Sequence, residues 1–89
     1  MTLDERIAAS VVRMRKSPSS VRYAELVRVC DHFFGEARQS GSSHRVYRMP
    51  WAGDPRVKIQ DARGMAKAYQ VRQVLAAVDR LAKEREEGP

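Results

Sequence analysis

Residues 41–49, with the sequence GSSHRVYRM, contain the pattern that decides the fold of this chain. Gly41 and the two serines after it are typical of a tight turn, in which we expect the glycine to adopt a positive φ angle. The residues that follow alternate as a short β-strand does, with His44 at its start. Imidazole is the side chain whose unperturbed pKa, about 6.5, lets it exchange a proton at neutral pH. The stretch therefore predicts a hairpin that presents a titratable group.

The chain is short and strongly basic. Its 89 residues include 17 Lys+Arg and 11 Asp+Glu, which gives a formal net charge of +6. This length is enough for one domain, and the charge attracts polyanions such as nucleic acid. No signal peptide or membrane span is evident, and the single cysteine, Cys30, excludes an intramolecular disulfide. We therefore expect a cytoplasmic protein that does not bind membranes.

Apolar residues at helical spacing predict three helices. Thr2 and Glu5 form a capping-box pattern before the first helix. A linker rich in serine follows this helix, and Ser20 is expected to cap the second helix, which Gly35 ends. The predicted bounds are Leu3–Arg15, Val21–Phe34, and Ala68 or Tyr69 to Arg85.

Between the second and third helices the apolar period changes to two, which predicts three strands. Val57 and Ile59 are expected to point inward. The segment Pro50–Pro55 closes a second hairpin, and Asp61–Lys67 is expected to be a loop. The predicted strands are Glu36–Gln39, His44–Met49 and Arg56–Gln60. The sequence thus predicts an α+β fold: an α-β-β-β-α domain over residues 18–89 with a three-stranded antiparallel sheet, preceded by an additional helix and linker over residues 1–17.

Four motifs in this element order carry a family resemblance. They are RYAELV at residues 22–27, GSSHRVY at 41–47, PWAGDPRV at 50–57 and KAYQVRQVL at 67–75. Together the motifs and the element order resemble the HicA family of toxin ribonucleases, over roughly residues 20 to 82.

The resemblance implies a double-stranded-RNA-binding-like fold, messenger RNA as the substrate, and His44 as the catalytic residue of an endoribonuclease toxin. It also implies a HicB-type antitoxin that binds the toxin, masks this histidine and helps to repress their shared operon. Two features depart from the family. Residues 1–17 are additional, and many members carry a second histidine beside the first, where this chain has Ser43 or Arg45.

An imidazole at position 44 fits metal-independent cleavage of RNA. As a general base it takes the proton of a ribose 2′-hydroxyl, which then attacks the adjacent phosphorus. No group of Asp, Glu and His has the spacing of metal ligands, so we expect no cofactor. The departing 5′ oxygen needs a separate proton donor, for which Lys58, Tyr47, Tyr69 and water all stay open. Tyr69 is otherwise expected to pack against the sheet.

Basic side chains are the candidates for RNA binding. The guanidinium groups of Arg45 and Arg48 suit phosphoryl oxygens, although a spacing of three places them on opposite faces of a strand. Their alternative role is as solvated strand residues that limit aggregation. Trp51 either stacks on an unpaired base or fixes its hairpin to the core. The candidate set for RNA binding is Arg45, Arg48, Lys58, Lys67 and Arg72.

Two other functions are compatible with the sequence. The first is a non-catalytic double-stranded-RNA-binding module that uses Lys67 and Arg72. The second is a protein-interaction subunit, because the apolar stripe of the first helix must be covered by its own domain or by another chain. The sequence leaves the oligomeric state open.

Overall fold

The sheet of this protein is formed by strands that are neighbours in the sequence. A computed structural model describes residues 2–41, 44–53 and 55–87. Within these ranges the strand order is β1-β2-β3-β4, and every pairing is antiparallel. The strands are β1 Gln39–Ser40, β2 His44–Arg48, β3 Arg56–Ala62 and β4 Met65–Ala66. With the helices described next, this arrangement confirms an α+β fold with an antiparallel sheet.

Three α-helices and one turn of 3₁₀ helix complete the described part of the chain. They are α1 Leu3–Lys16, the 3₁₀ turn Pro18–Ser20, α2 Tyr23–Phe34 and α3 Ala68–Glu87. The predicted cap of α1 is confirmed, since the amide of Glu5 donates to the Thr2 hydroxyl at 3.2 Å. Gly35 ends α2 with a φ of 80°, a conformation that costs other residues energy. None of the described helices combines the length and the apolar character that crossing a bilayer requires.

The core lies between the helices and one face of the sheet. Helices α2 and α3 pack on the strands, and α1 packs on α2 and α3. Ile7 and Met14 of α1 belong to the same buried cluster as Ile59 of the sheet, and Met14 has 0% of its surface exposed. Burial of such a side chain contributes about 1.5–3 kcal/mol. The additional N-terminal helix therefore shares the core of the domain that follows it.

The segment before α3 forms a hairpin that the sequence did not predict. Strand β3 continues to Ala62 and the chain returns as β4, so the predicted loop over Asp61–Lys67 is wrong. Arg63 and Gly64 both have positive φ, 58° and 87°, as a two-residue hairpin turn requires. The amide of Gly64 also donates to Oδ1 of Asp61 at 2.6 Å. The side chain of Asp61 thus stabilises the turn.

The same hairpin determines where α2 begins. The amide of Tyr23 donates to the Gly64 carbonyl at 2.9 Å, and the amide of Ala66 donates to the Val21 carbonyl at 2.8 Å. These bonds hold Val21 outside the helix, so α2 begins at Tyr23, two residues after the predicted start of roughly Val21. Ser20 lies in the 3₁₀ turn and does not cap α2.

Strand β1 is shorter than the sequence predicts. It begins at Gln39 rather than at Glu36, and it contains two residues. Just before it, the amide of Arg38 donates to the Val46 carbonyl at 2.7 Å. The chain therefore begins to pair with β2 at Arg38 and Gln39, after the predicted start of the strand at Glu36.

Candidate nucleic-acid interface and active site

The pairing of β2 with β3 sorts their side chains into two sets. Side chains alternate across a strand, so directly opposite residues share a face. The face covered by the helices contains the cross-strand pair Tyr47 and Val57, followed by Ile59. We call the other side of the sheet the open face. Its residues on β2 and β3 are His44, Val46, Arg48, Arg56, Lys58 and Gln60.

The imidazole of His44 lies exposed at one end of the open face. A Cβ atom added at Gly41 would lie 3.4 Å from Cε1 of His44, so the ring rests against the glycine. The amide of Gly41 also donates to the His44 carbonyl at 2.8 Å. Gly41 does not have a positive φ, so that prediction is wrong. A Cβ at position 41 would touch the ring at van der Waals distance, so Gly41 forms one side of the surroundings of His44. Ser42 and Ser43 lie outside the described residues.

Two lysines lie close to His44. Gln60 is directly opposite His44, at a Cβ separation of about 4.5–5.5 Å for such pairs. Nζ of Lys67 donates to Oε1 of Gln60 at 3.2 Å. Lys58 is the diagonal neighbour of His44, at roughly 7–8 Å between backbones. The register and this hydrogen bond thus place Lys58 and Lys67 beside the pair of His44 and Gln60.

A buried glutamine attaches this end of the sheet to α3. Gln70 is 3% exposed, and its Oε1 accepts the amide hydrogen of Gln60 at 2.8 Å. Its Nε2 donates to the Tyr69 hydroxyl at 3.3 Å. Tyr69 itself is 54% exposed, so the predicted packing of this ring against the sheet is wrong. Sequence reasoning missed Gln70, although a polar residue on the apolar stripe of a helix was a usable signal.

Two arginines occupy the other end of the open face. Arg48 of β2 is directly opposite Arg56 of β3, and both side chains are exposed. Arg48 was a predicted RNA-binding residue, whereas Arg56 was not. The signal for Arg56 was its spacing of two from Lys58, which places both on one face of a strand.

Arg45 and Arg72 lie away from the open face. Arg45 belongs to the covered side, where burial raises the pKa of the Tyr23 phenol and the nearby arginine partly offsets that effect. Arg72 lies two turns before Asp79 on the same stripe of α3. Asp79 binds Arg15 of α1 at 2.6 Å, so the Asp79 end of this stripe faces α1. The structure therefore brings Arg48, Lys58 and Lys67 to the face of His44, but neither of these two arginines.

The hydroxyl of Tyr47 does not reach the open face. Tyr47 is 0% exposed, and its hydroxyl donates to Oδ1 of Asp31 in α2 at 2.7 Å. Burial and this hydrogen bond raise the pKa of the phenol far above its usual value. Of the side chains considered as proton donors, Lys58 shares the face of His44. The hydroxyl of Tyr69 accepts a hydrogen bond from Gln70, which in turn binds the amide of Gln60 opposite His44.

The second histidine and the cysteine of the chain both lie on α2. His32 is exposed on α2, with Nε2 3.6 Å from Oδ1 of Asp4 in α1. Cys30 is part of the core, and burial raises the pKa of its thiol. Neither residue adjoins the open face, as expected from their positions on α2.

Within residues 2–41, 44–53 and 55–87, no three His, Cys, Asp or Glu side chains are grouped as metal ligands. Comparison with protein-family models, with curated proteins and with solved structures gives no match to this chain. Function is therefore inferred from the residues of the open face.

Proposed function

We propose that this protein is an endoribonuclease that cleaves messenger RNA by metal-independent acid–base catalysis at His44. One observation carries the proposal: an exposed imidazole shares a sheet face with Arg48 and Lys58, and Lys67 binds the residue opposite it. Such cations bind the phosphates of RNA without regard to sequence. The imidazole then acts on a ribose hydroxyl next to the bound phosphate.

The reaction is an internal transfer at phosphorus. His44 removes the proton of the 2′-hydroxyl, the O2′–P bond forms and the P–O5′ bond breaks. The products are a 2′,3′-cyclic phosphate and a 5′-hydroxyl end. Lys58 and Lys67 offset the charge that develops on the phosphoryl oxygens. The departing 5′ oxygen takes its proton from one of these ammonium groups or from water.

The element order supports a double-stranded-RNA-binding-like fold. After α1 the chain runs through α2, three antiparallel strands and α3, with β4 as a short addition before α3. This order and the motifs quoted above favour a toxin of the HicA type. Under this proposal a HicB-type antitoxin is the protein partner, and it covers His44 while it is bound.

The two histidines of this chain provide a matched test. Wild type, His44→Ala and His32→Ala are each incubated with labelled messenger RNA in excess EDTA. We expect His44→Ala to lose roughly 10²–10⁴-fold in cleavage rate, the usual value of a general base. His32→Ala should cleave like wild type. An RNA with 2′-deoxyribose at the cleaved position should resist cleavage, because it lacks the attacking oxygen.

Equal cleavage by wild type and His44→Ala, or cleavage that stops in EDTA, contradicts the proposal. Binding of RNA without any shortening supports the second candidate, a non-catalytic double-stranded-RNA-binding module. That candidate is favoured by the position of Lys67 directly before α3, where such modules contact phosphates.

A further inference from the structure

A cavity of about 790 Å³ lies at the end of the sheet opposite His44. It is lined by the C-terminal ends of α2 and α3 and by the turn at residues 50–53. Its aromatic side chains are Phe33, Phe34 and Trp51. Phe34 also packs on Tyr47 of the core, with 6.2 Å between ring centroids. The aromatic lining is therefore supported by the core beneath it.

Trp51 separates this cavity from a second, smaller pocket. The guanidinium carbon of Arg80 lies 4.5 Å from the Trp51 ring centroid, and both residues line the smaller pocket. A cation over one face of an indole ring stabilises the ring in its orientation. Trp51 is half-buried and packs against the core, as one of its two expected roles requires, and it also lines the larger cavity. The ring thus offers the larger cavity an oriented aromatic surface.

The charges around the larger cavity favour an anionic occupant. Among the described residues, Arg38, Arg48 and Arg85 line it, and Glu36 contributes a carboxylate. Aromatic rings next to guanidinium groups are the combination with which proteins bind unpaired bases and their phosphates.

Arg48 belongs both to the cavity and to the open face. A strand rises by about 3.3 Å per residue, so the step along β2 from His44 to Arg48 spans roughly 13 Å. An RNA strand that places its cleaved phosphate at His44 and follows β2 therefore reaches the cavity within a few nucleotides.

We propose that this cavity is a base-binding subsite for the RNA strand that is cleaved at His44. One unpaired base stacks on Trp51, and its phosphate lies beside Arg38 and Arg85. The inference rests on the proposed function, because the strand that fills the cavity is the substrate. Its consequence is that cleavage requires a single-stranded segment long enough to span the distance from His44 to Trp51.

The fluorescence of Trp51 reports on the cavity directly, because it is the single tryptophan of the chain. The full-length protein with His44→Ala, which is expected to slow cleavage, is titrated with oligouridylates from the dinucleotide upward. Binding is followed by the anisotropy of a dye on the RNA, and stacking by quenching of Trp51. We expect quenching to begin at one particular length, with a rise in affinity of roughly 5- to 150-fold at that length, the value of one stacked base.

A charge reversal at the cavity provides the second test. Arg85 and Arg72 are exposed on the same helix, but only Arg85 lines the cavity. In the His44→Ala protein, Arg85→Glu should weaken binding of the long oligonucleotides and leave the shortest ones nearly unaffected. Arg72→Glu, which lies outside the cavity, should change the affinity for oligonucleotides of every length by the same factor.

Binding of long oligonucleotides without quenching of Trp51 overturns this inference and leaves the proposed function intact. The same is true if Arg85→Glu and Arg72→Glu have equal effects at every length. Quenching by polyglutamate but not by RNA identifies the cavity as a protein-binding site and also overturns it. In contrast, wild type that neither binds nor cleaves RNA contradicts the proposed function itself.

Discussion

The two faces of the sheet use alternate residues of the same strands, yet they differ in burial and in charge. The covered face presents Tyr47 and Ile59, which are both 0% exposed. The open face presents His44, Lys58 and Arg48, which are all exposed, although Val46 on the same face is buried. Neighbouring residues in the chain are therefore expected to contribute to different properties of the protein, namely stability and RNA binding. A single-residue step along β3 separates Ile59, which is buried in the core, from Lys58, which we propose binds substrate.

The largest effect on stability is expected at Ile59, next to Lys58 in the chain. Ile59→Ala removes buried methyl groups and should lower the free energy of unfolding by about 2–5 kcal/mol. Lys58→Ala should change it by no more than about 0.5 kcal/mol, but should weaken RNA binding and reduce its salt slope by about one. Urea denaturation and RNA titrations at several salt concentrations measure both quantities. A large loss of stability in Lys58→Ala would contradict the assignment of stability to the covered face and RNA binding to the open face.

A comparable effect is expected in α1, which extends the covered side of the fold. Met14 has 0% of its surface exposed, whereas Val12 on the same helix is 51% exposed. Met14→Ala should cost about 2–5 kcal/mol, and Val12→Ala about 0.5 kcal/mol or less. Thermal and urea unfolding of the two variants check this difference. Equal, small effects would mean that α1 is an appendage that the rest of the domain does not need.

Local patterns predicted the parts of the fold that depend on neighbours in the chain. The alternation of Val57 and Ile59 predicted their burial, and Thr2 predicted the start of α1. The hairpin of β3 and β4 could not be predicted in this way. Its turn requires a left-handed backbone at Arg63, which arginine rarely adopts, so the pair Arg63-Gly64 is not a usual turn signal.

The candidate site was likewise predictable only where it depends on local sequence patterns. Alternation along β3 predicts that Lys58 points away from Val57 and Ile59, but its position beside His44 depends on the register between β2 and β3. The approach of Lys67 to this face depends on Gln60 and on the attachment of α3 by Gln70, which are contacts between distant elements. No spacing in the sequence encodes such contacts. They depend on how α3 packs on β3, which the three-dimensional fold determines.

Tyr47→Phe tests whether the covered face contributes to catalysis. The substitution removes the hydrogen bond to Asp31 and should cost about 0.5–1.5 kcal/mol, because the exposed carboxylate can bind water instead. The cleavage rate should not change at temperatures where the variant is folded. A variant at position 47 that is folded but does not cleave RNA would assign Tyr47 to the reaction and contradict the separation of the faces.

The smallest effect is expected outside both faces, where Arg15 of α1 binds Asp79 of α3 at 2.6 Å. The guanidinium lowers the pKa of the Asp79 carboxyl. Both side chains are largely exposed, so the pair should contribute less than about 1 kcal/mol. A carboxyl with a lowered folded-state pKa contributes stability that is fully present above its unfolded pKa of about 3.9, and this stability is lost as the pH falls through the folded value.

Asp79→Asn should therefore unfold at slightly lower urea concentration than wild type at neutral pH and low salt. The difference should disappear in acid, where the wild-type carboxyl is protonated, and should shrink in high salt, where exposed charges are screened. Urea titrations of both proteins across this pH range measure it. A difference that persists in acid would mean that Asp79 acts through packing between α1 and α3.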